Sequence, residues 1–282
     1  MKQKRVAAIH DISCFGKCSL TVALPIISAA GIEVSAVPTA VLSTHTGGFE
    51  GYTYRDLTDD ILPIANHWQS LDIHFDSIYT GFLGSFEQIN IVSEVFDKFK
   101  TKDNLIVVDP VMADNGVLYS LFSEKFPSAM KKLCEKADVI VPNITEACLL
   151  LEEPYNAGPY TKEYIEALLR RLAALGPQKV ILTGVYFDEL QLGAASYDAE
   201  LDKFDYAFSD RVAGYFHGTG DVFGSALVGA ILNGHELADS IRIAVDYTAQ
   251  SIRRTKEAGT DIRFGVNFEA GLPDYIKQLH LS

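Results

Sequence analysis

Four residues, Gly218-Thr219-Gly220-Asp221, close an irregular stretch and open the most apolar helical run of the chain, residues 222–232. Two glycines around a threonine let the backbone turn sharply with its amides pointing outward, and the helix that follows adds the positive end of its dipole. Such a turn is a seat for phosphate. Asp221 either caps that helix or presents a carboxylate beside a bound anion; the spacing allows both. Upstream, the apolar run 105–108 ends in Asp109-Pro110, and the run 139–141 ends in Pro142-Asn143 with Glu146 three residues later. Asn143 and Glu146 then share one face of a first helical turn. A further run, 178–182, ends in Thr183-Gly184. Taken singly, each of these polar residues also suits a strand end or a helix cap. Taken together they offer carboxylates suited to magnesium, an amide cradle suited to phosphates and a carboxylate placed to take a proton, which are the parts of phosphoryl transfer.

The elements that must bring these residues together alternate along the chain. Residues 6–10 form a strand, 11–17 a loop, and helical periodicity begins near Ser19. Residues 33–43 read as a strand followed by the loop Thr44-His45-Thr46-Gly47-Gly48, able to line a pocket. Helix is expected over 57–71, strand over 76–82, helix over 86–99, and a clean amphipathic helix over 162–175. Residues 191–197 and 203–208 pattern as an antiparallel hairpin, and 236–256 as a long helix. Gly16-Lys17-Cys18-Ser19 fails as a nucleotide-binding P-loop, because Asp11 occupies the first glycine position and Cys18 follows the lysine. The expected architecture is a three-layer α/β/α fold: a mostly parallel central sheet with a small antiparallel hairpin, in one domain spanning 1–282. In such a sheet ligands sit outside the carboxyl ends of the strands, the edge where Asp109, Asn143, Glu146, Thr183, Gly184 and the 218–221 turn are all expected.

A chain of 282 residues with 48% hydrophobic and 22% charged residues can bury a substantial core. Its net charge of -13 argues against nucleic-acid or anionic-membrane partners, so an anionic substrate must be met by helix termini or a metal ion. Four cysteines without CxxC spacing read as reduced, not as a zinc site. No apolar run is long enough to span a membrane, the basic start at residues 1–5 meets too short an apolar stretch for a signal peptide, and a cytoplasmic protein is expected. His67, His74, His235 and His280 have no neighbours at ligand spacing and are assigned to the surface or helix ends.

Gly218-Thr219-Gly220-Asp221, Asp109-Pro110-Val111-Met112, Pro142-Asn143-Ile144-Thr145-Glu146 and Thr80-Gly81-Phe82-Leu83-Gly84-Ser85 resemble the motifs of pyridoxal kinases in the ribokinase-like superfamily, in the family's order over nearly the whole chain. The Asp109-Pro110-Val111-Met112 motif is shared with hydroxymethylpyrimidine kinases, whereas His45-Thr46 and Gly81-Phe82 tilt toward vitamin B6. The resemblance implies ATP-dependent phosphorylation of a 5-hydroxymethyl group, with Asp221 as the base and the amides of Gly218, Thr219 and Gly220 steadying the transferred phosphoryl. It implies Mg2+ near Asp109 and Glu146, supported by Asn143, and a nucleotide site that also draws on Thr183, Gly184 and Phe216. It places His45 and Thr46 at the pyridine substituents and Phe82, in place of a common tyrosine, on the ring. A monovalent cation such as K+ and a homodimer also follow from the resemblance. Asp11 stands where such kinases commonly carry a serine at the pyridine nitrogen; either it meets a pyridinium there, or it turns outward to cap its loop and Ser13 reaches the ring instead. Rival readings are a hydroxymethylpyrimidine or hydroxymethylpyrimidine phosphate kinase, a dinucleotide-binding oxidoreductase citing Gly218-x-Gly220-x-x-x-Gly224, and a catalytically silent nucleotide binder. The oxidoreductase reading lacks the strand and acidic residue that should follow, and the silent binder has no need of Asp221.

Overall fold

The computed structural model describes residues 3–281, so Met1 and Lys2 of the basic amino-terminal stretch lie outside the described residues. In chain order the elements are β1 (Arg5–Ser13), α1 (Leu20–Ala29), β2 (Glu33–Leu42), β3 (Tyr54–Asp56), α2 (Thr58–Ser70), β4 (Ser77–Thr80), α3 (Phe86–Phe99), β5 (Leu105–Val108), β6 (Ala113–Asp114), β7 (Val117–Leu118) and α4 (Phe126–Cys134). There follow β8 (Val139–Ile140), α5 (Ile144–Leu150), α6 (Lys162–Ala173), β9 (Lys179–Val185), β10 (Gln191–Asp198), β11 (Lys203–Asp210), α7 (Thr219–Leu232), α8 (Leu237–Glu257) and α9 (Leu272–Gln278). Nine strands form one sheet in the order β11-β10-β9-β8-β5-β4-β1-β2-β3. The run β9-β8-β5-β4-β1-β2 is parallel, and antiparallel strands stand at both edges. The hairpin β10–β11 thus extends the main sheet, while β6 and β7 pair apart from it.

In the central strand β4 all four residues, Ser77, Ile78, Tyr79 and Thr80, are buried because helices cover both faces of the sheet. One face packs against α2 to α6 through Ile61, Val92, Phe96, Met130 and Leu168, and the other against α1, α7, α8 and α9 through Ile26, Leu227, Ile241 and Tyr275. Local signals fix the helix starts. Ser85 accepts from the Gln88 amide at 3.1 Å and Thr161 from the Tyr164 amide at 3.2 Å, each meeting one of the amides a helix start leaves unpaired.

Two expectations are corrected, and both corrections sit at bulges. β1 does not stop at His10: the register shifts between His10 and Ile12, after which Ile12 and Ser13 pair with Val41 and Leu42. Asp11 therefore lies within a strand, opposite the irregularity that Thr39 and Ala40 make in β2, with its carboxylate buried, and does not turn outward to cap a loop. β9 likewise runs past Leu182. Thr183 pairs with Ala194 and Val185 with Gly193, which leaves Gly184 unpaired at φ 74, a conformation that suits glycine.

Opposite that bulge, a Cβ on Gly193 would stand 1.9 Å from the Ala207 carbonyl oxygen and 2.8 Å from Phe208 Cα, backbone atoms that cannot swing aside. Gly193→Ala should therefore cost about 2–3 kcal/mol in urea denaturation; an unchanged midpoint would show that the β10–β11 hairpin yields freely.

Candidate active site

The amino end of α7 is bare. Gly218 holds the cap position at φ 74 with no side-chain cap, and the Val222 amide is the first to reach a helical carbonyl, that of Gly218 at 3.0 Å. The amides of Thr219, Gly220 and Asp221 are thus left for a ligand. Gly218 cannot be replaced: a Cβ there would lie 2.3 Å from the Lys17 carbonyl oxygen. At Gly220 a Cβ would meet nothing within 4 Å, so the exposed backbone there faces open space that an anion can approach. Asp221 is the third residue of the helix and is not its cap, which closes the capping alternative. Burial raises its pKa to about 7, the nearby charge of Asp11 adds to the rise, and the Ser19 backbone amide opposes it.

Two further carboxylates complete the edge. Asp109 follows β5 and is buried, with no protein donor on its carboxylate among the described residues; burial, Glu146 and Asp221 all push its pKa up. A Cβ on Gly224, one turn beyond Asp221, would lie 3.7 Å from Asp109 Oδ2 and 2.4 Å from the Tyr79 hydroxyl, so α7 reaches Asp109 only through a glycine. Glu146 forms a capping box with Asn143: Asn143 Oδ1 accepts from the Glu146 amide at 2.9 Å, and Glu146 Oε2 accepts from the Asn143 amide at 2.9 Å. Glu146 Oε1 accepts from the Met112 amide at 3.0 Å, tying the segment after β5 to α5. Burial nevertheless raises Glu146 to about 8. Thr183 bridges to Asn143, and Gly184 beside it is exposed with open space above.

Along the β1 side, Asp11 accepts from Ser13 Oγ at 3.0 Å and from Ser19 Oγ at 2.5 Å. His45 is buried with both ring nitrogens engaged in its own surroundings: Nδ1 accepts from the Gly47 amide at 3.0 Å, and Nε2 donates to the Arg263 carbonyl at 2.6 Å. Thr46 is exposed. Phe82, after β4, lies 5.7 Å from the Phe122 ring, and Phe216 packs on the core beneath α7. His67, His74, His235 and His280 take no part in these contacts. His235 and His280 lie near each other, with ring centroids 6.0 Å apart, and the exposed His74 reaches only Asp72, at 3.5 Å.

The chain matches the phosphomethylpyrimidine kinase family over residues 24–265. It belongs to that family. A Bacteroides thetaiotaomicron protein, solved in a rhombohedral form and in an orthorhombic form with pyridoxal, is 40% identical; the rhombohedral form gives a TM-score of 0.94, covering 97% of this chain and 94% of that one. Pyridoxal kinase from Lactobacillus plantarum is 32% identical with a TM-score of 0.89, covering 98% of each chain. Pyridoxal kinase from Leishmania donovani in complex with ADP shares the fold at 20% identity and a TM-score of 0.86, covering 98% of this chain and 96% of its own. Among curated relatives, 256 residues at 26% identity cover 88% of this chain and 88% of the Mycobacterium leprae hydroxymethylpyrimidine/phosphomethylpyrimidine kinase. The chain spans only 44% of an Arabidopsis thaliana thiamine biosynthetic bifunctional enzyme, matching at 25% identity over 83% of its own length. This is a kinase with an alcohol acceptor, on the ribokinase-like fold.

Several residues of this kinase's site carry no sequence signal of their own. Tyr79 is hidden inside β4, and Gly224 reads as one more small residue in an apolar helix. Ser19, whose amide holds the Asp221 pKa down, reads only as the start of α1.

The raised pKa of Asp221 has a stability consequence. Its folded value of about 7 lies above the unfolded 3.8, so ionisation penalises the fold progressively as pH rises from about 4 through 7. Without nucleotide, Asp221→Asn should therefore be more stable than the parent by about 2–4 kcal/mol at pH 8, with the advantage vanishing near pH 4. Equal denaturation midpoints at both pH values would show that Asp221 ionises freely.

Proposed function

We propose that the kinase transfers the γ-phosphoryl group of ATP to the 5-hydroxymethyl group of a vitamin B6 vitamer, working as a cytoplasmic homodimer. The observation that carries this reading is Asp221, a carboxylate raised to about 7 in the first turn of an uncapped helix whose free amides lie beside it. A base with a pKa near neutrality is ionised enough to accept the hydroxymethyl proton as the oxygen attacks, and protonated enough to release it again. The free amides of Thr219 and Gly220 in this turn would stabilise charge developing on the transferred group.

The donor set fits a magnesium ion. Asp109 offers a buried carboxylate without a protein donor among the described residues, within the influence of Glu146 and Asp221. That pattern suits a cation held by one or two carboxylates and by substrate phosphates. Asp109 would hold Mg2+ directly. Glu146, whose oxygens already accept the Asn143 and Met112 amides, would act through water and orient the site. When bound, the ion neutralises charge on the nucleotide phosphates. Thr183, Gly184 and Phe216 would contribute to the nucleotide site, a reading supported by ADP in the Leishmania relative.

Pyridoxal in the Bacteroides relative supports vitamin B6 as the acceptor. In this chain Asp11, with its oxygens already holding two serine hydroxyls, can only accept further hydrogen bonds, which suits a pyridinium N–H. Thr46 would meet a ring substituent, Phe82 would pack on the ring, and His45 would shape the pocket wall without donating. The family match and the Mycobacterium relative favour a second acceptor, hydroxymethylpyrimidine or its phosphate, with the same base and cradle.

Incubation with magnesium ATP and a panel of pyridoxal, pyridoxamine, pyridoxine and hydroxymethylpyrimidine, followed by mass identification of the product, decides between the acceptors. A B6 5′-phosphate is expected; phosphorylation of the pyrimidine alone would assign the second reading. On the preferred acceptor, Asp221→Asn should lower kcat by roughly 100-fold or more, and a turnover equal to the parent's would remove Asp221 as the base.

A further inference from the structure

The loop joining β1 to α1 lies directly on the amino end of α7. The Lys17 carbonyl oxygen occupies the space a Gly218 side chain would need, and Cys18 Sγ lies 3.5 Å from the same point. This loop is tightly wound, with Gly16 at φ 104, Lys17 at φ 43 and Ser19 at φ 56. Ser19 combines that φ with ψ -129, a conformation natural to glycine and strained for a residue with a Cβ. A serine at this helix-cap position ordinarily turns its hydroxyl to the amides of its own helix. Ser19 makes no such bond. Its hydroxyl donates instead to Asp11 Oδ1 at 2.5 Å, with Ser19 only 5% and Asp11 only 4% exposed. Asp11 is itself set in β1 opposite the β2 bulge at Thr39 and Ala40, and steadied by the Ser13 hydroxyl on its other oxygen. The backbone amide of Ser19 lies near enough to the Asp221 carboxylate to hold its pKa down against burial.

We infer that Asp11 and Ser19 form a positioning device for Asp221: the buried hydrogen bond between them holds residue 19 in its strained conformation, and that conformation aims the Ser19 N–H at the base. Asp221 is then gripped from its own helix on one side and from the β1–α1 loop on the other, so its acceptor oxygen points toward the substrate hydroxyl. Ser19 acts through its main chain. The side chain serves only to keep that main chain in place, and a residue that adopts positive φ without strain can dispense with it. The inference rests on the reading of Asp221 as base and adds a second role for Asp11 beside the pyridine nitrogen.

Glycine supplies the test, because it takes φ 56 freely and lacks the hydroxyl. With the vitamer identified as substrate, Ser19→Ala should lower kcat by about 10-fold while both KM values stay within about twofold, since the base and not the binding surfaces is disturbed. Ser19→Gly should recover kcat to within about threefold of the parent. If Ser19→Ala folds poorly, the comparison moves to Asp11→Ala with and without Ser19→Gly: glycine should restore the kcat lost on removing the anchor, although not any KM change caused by losing the ring contact. Ser19→Gly as impaired as Ser19→Ala, a parent-like kcat in Ser19→Ala, or failure of glycine to rescue Asp11→Ala would each overturn the inference. Asp221→Asn measured alongside separates the two levels, because if it retains full turnover the base assignment fails whatever the Ser19 variants do.

Discussion

Burying like charges together is the constraint around which this molecule is built. Asp109, Glu146 and Asp221 meet at one edge of the sheet, and burial raises the pKa of each; no cationic side chain figures among the causes of those shifts. A fold can tolerate this only if protons, backbone amides or a ligand carry the compensating charge. The three carboxylates divide those roles. Glu146 is held by the Asn143 and Met112 amides, Asp221 lies on the bare helix end of α7 and against the Ser19 amide, and Asp109 has no protein donor among the described residues. The unmet demand for positive charge therefore centres on Asp109, whose Oδ2 lies beside Gly224 one turn beyond Asp221. On the proposed function, a magnesium-bound nucleotide would supply charge of that kind.

The sheet explains why these groups converge. β1, β4, β5, β8 and β9 run parallel, so the segments that leave them emerge at the same edge. The two bulges then adjust what the strands alone would give. Opposite the β2 bulge Asp11 is held as a buried polar residue within β1, and at Gly184 the β9 bulge frees exposed backbone beside Thr183. Glycines do the rest at α7: Gly218 admits the Lys17 carbonyl, and Gly224 admits the Tyr79 hydroxyl next to Asp109. The site is assembled largely by close backbone approach, which is why a chain with a net charge of -13 can still offer an anion a local seat.

Much of this was legible in the residues. The helix over Phe86–Phe99 and the strand over Leu105–Val108 have the bounds their periodicity predicts, because a clear apolar period and strong end signals agree there. The alternation of elements led to the parallel sheet, and the Asn143 and Glu146 spacing to the shared helical face. What stayed hidden depends on distant partners. β1 continues past His10 although its residues turn polar, since Val41 and Leu42 pair with Ile12 and Ser13. β6 and β7 are too short for any period to show, and α4 opens on Phe126-Pro127 without a capping side chain. The engagement of His45 by Gly47 and Arg263, and the left-handed backbone of Ser19, are tertiary facts that residue type alone does not announce.

The central claim, that a magnesium-bound nucleotide neutralises these buried carboxylates, is tested most directly by calorimetric titration of Mg·ADP into the enzyme at pH 7 in buffers of different ionisation enthalpy. Glu146, raised to about 8, and Asp221, raised to about 7, hold protons at that pH, and a cation placed beside them lowers their pKa values. The account predicts net proton release on binding, reduced in Asp109→Asn. Binding with no dependence on the buffer, or with net proton uptake, would contradict it.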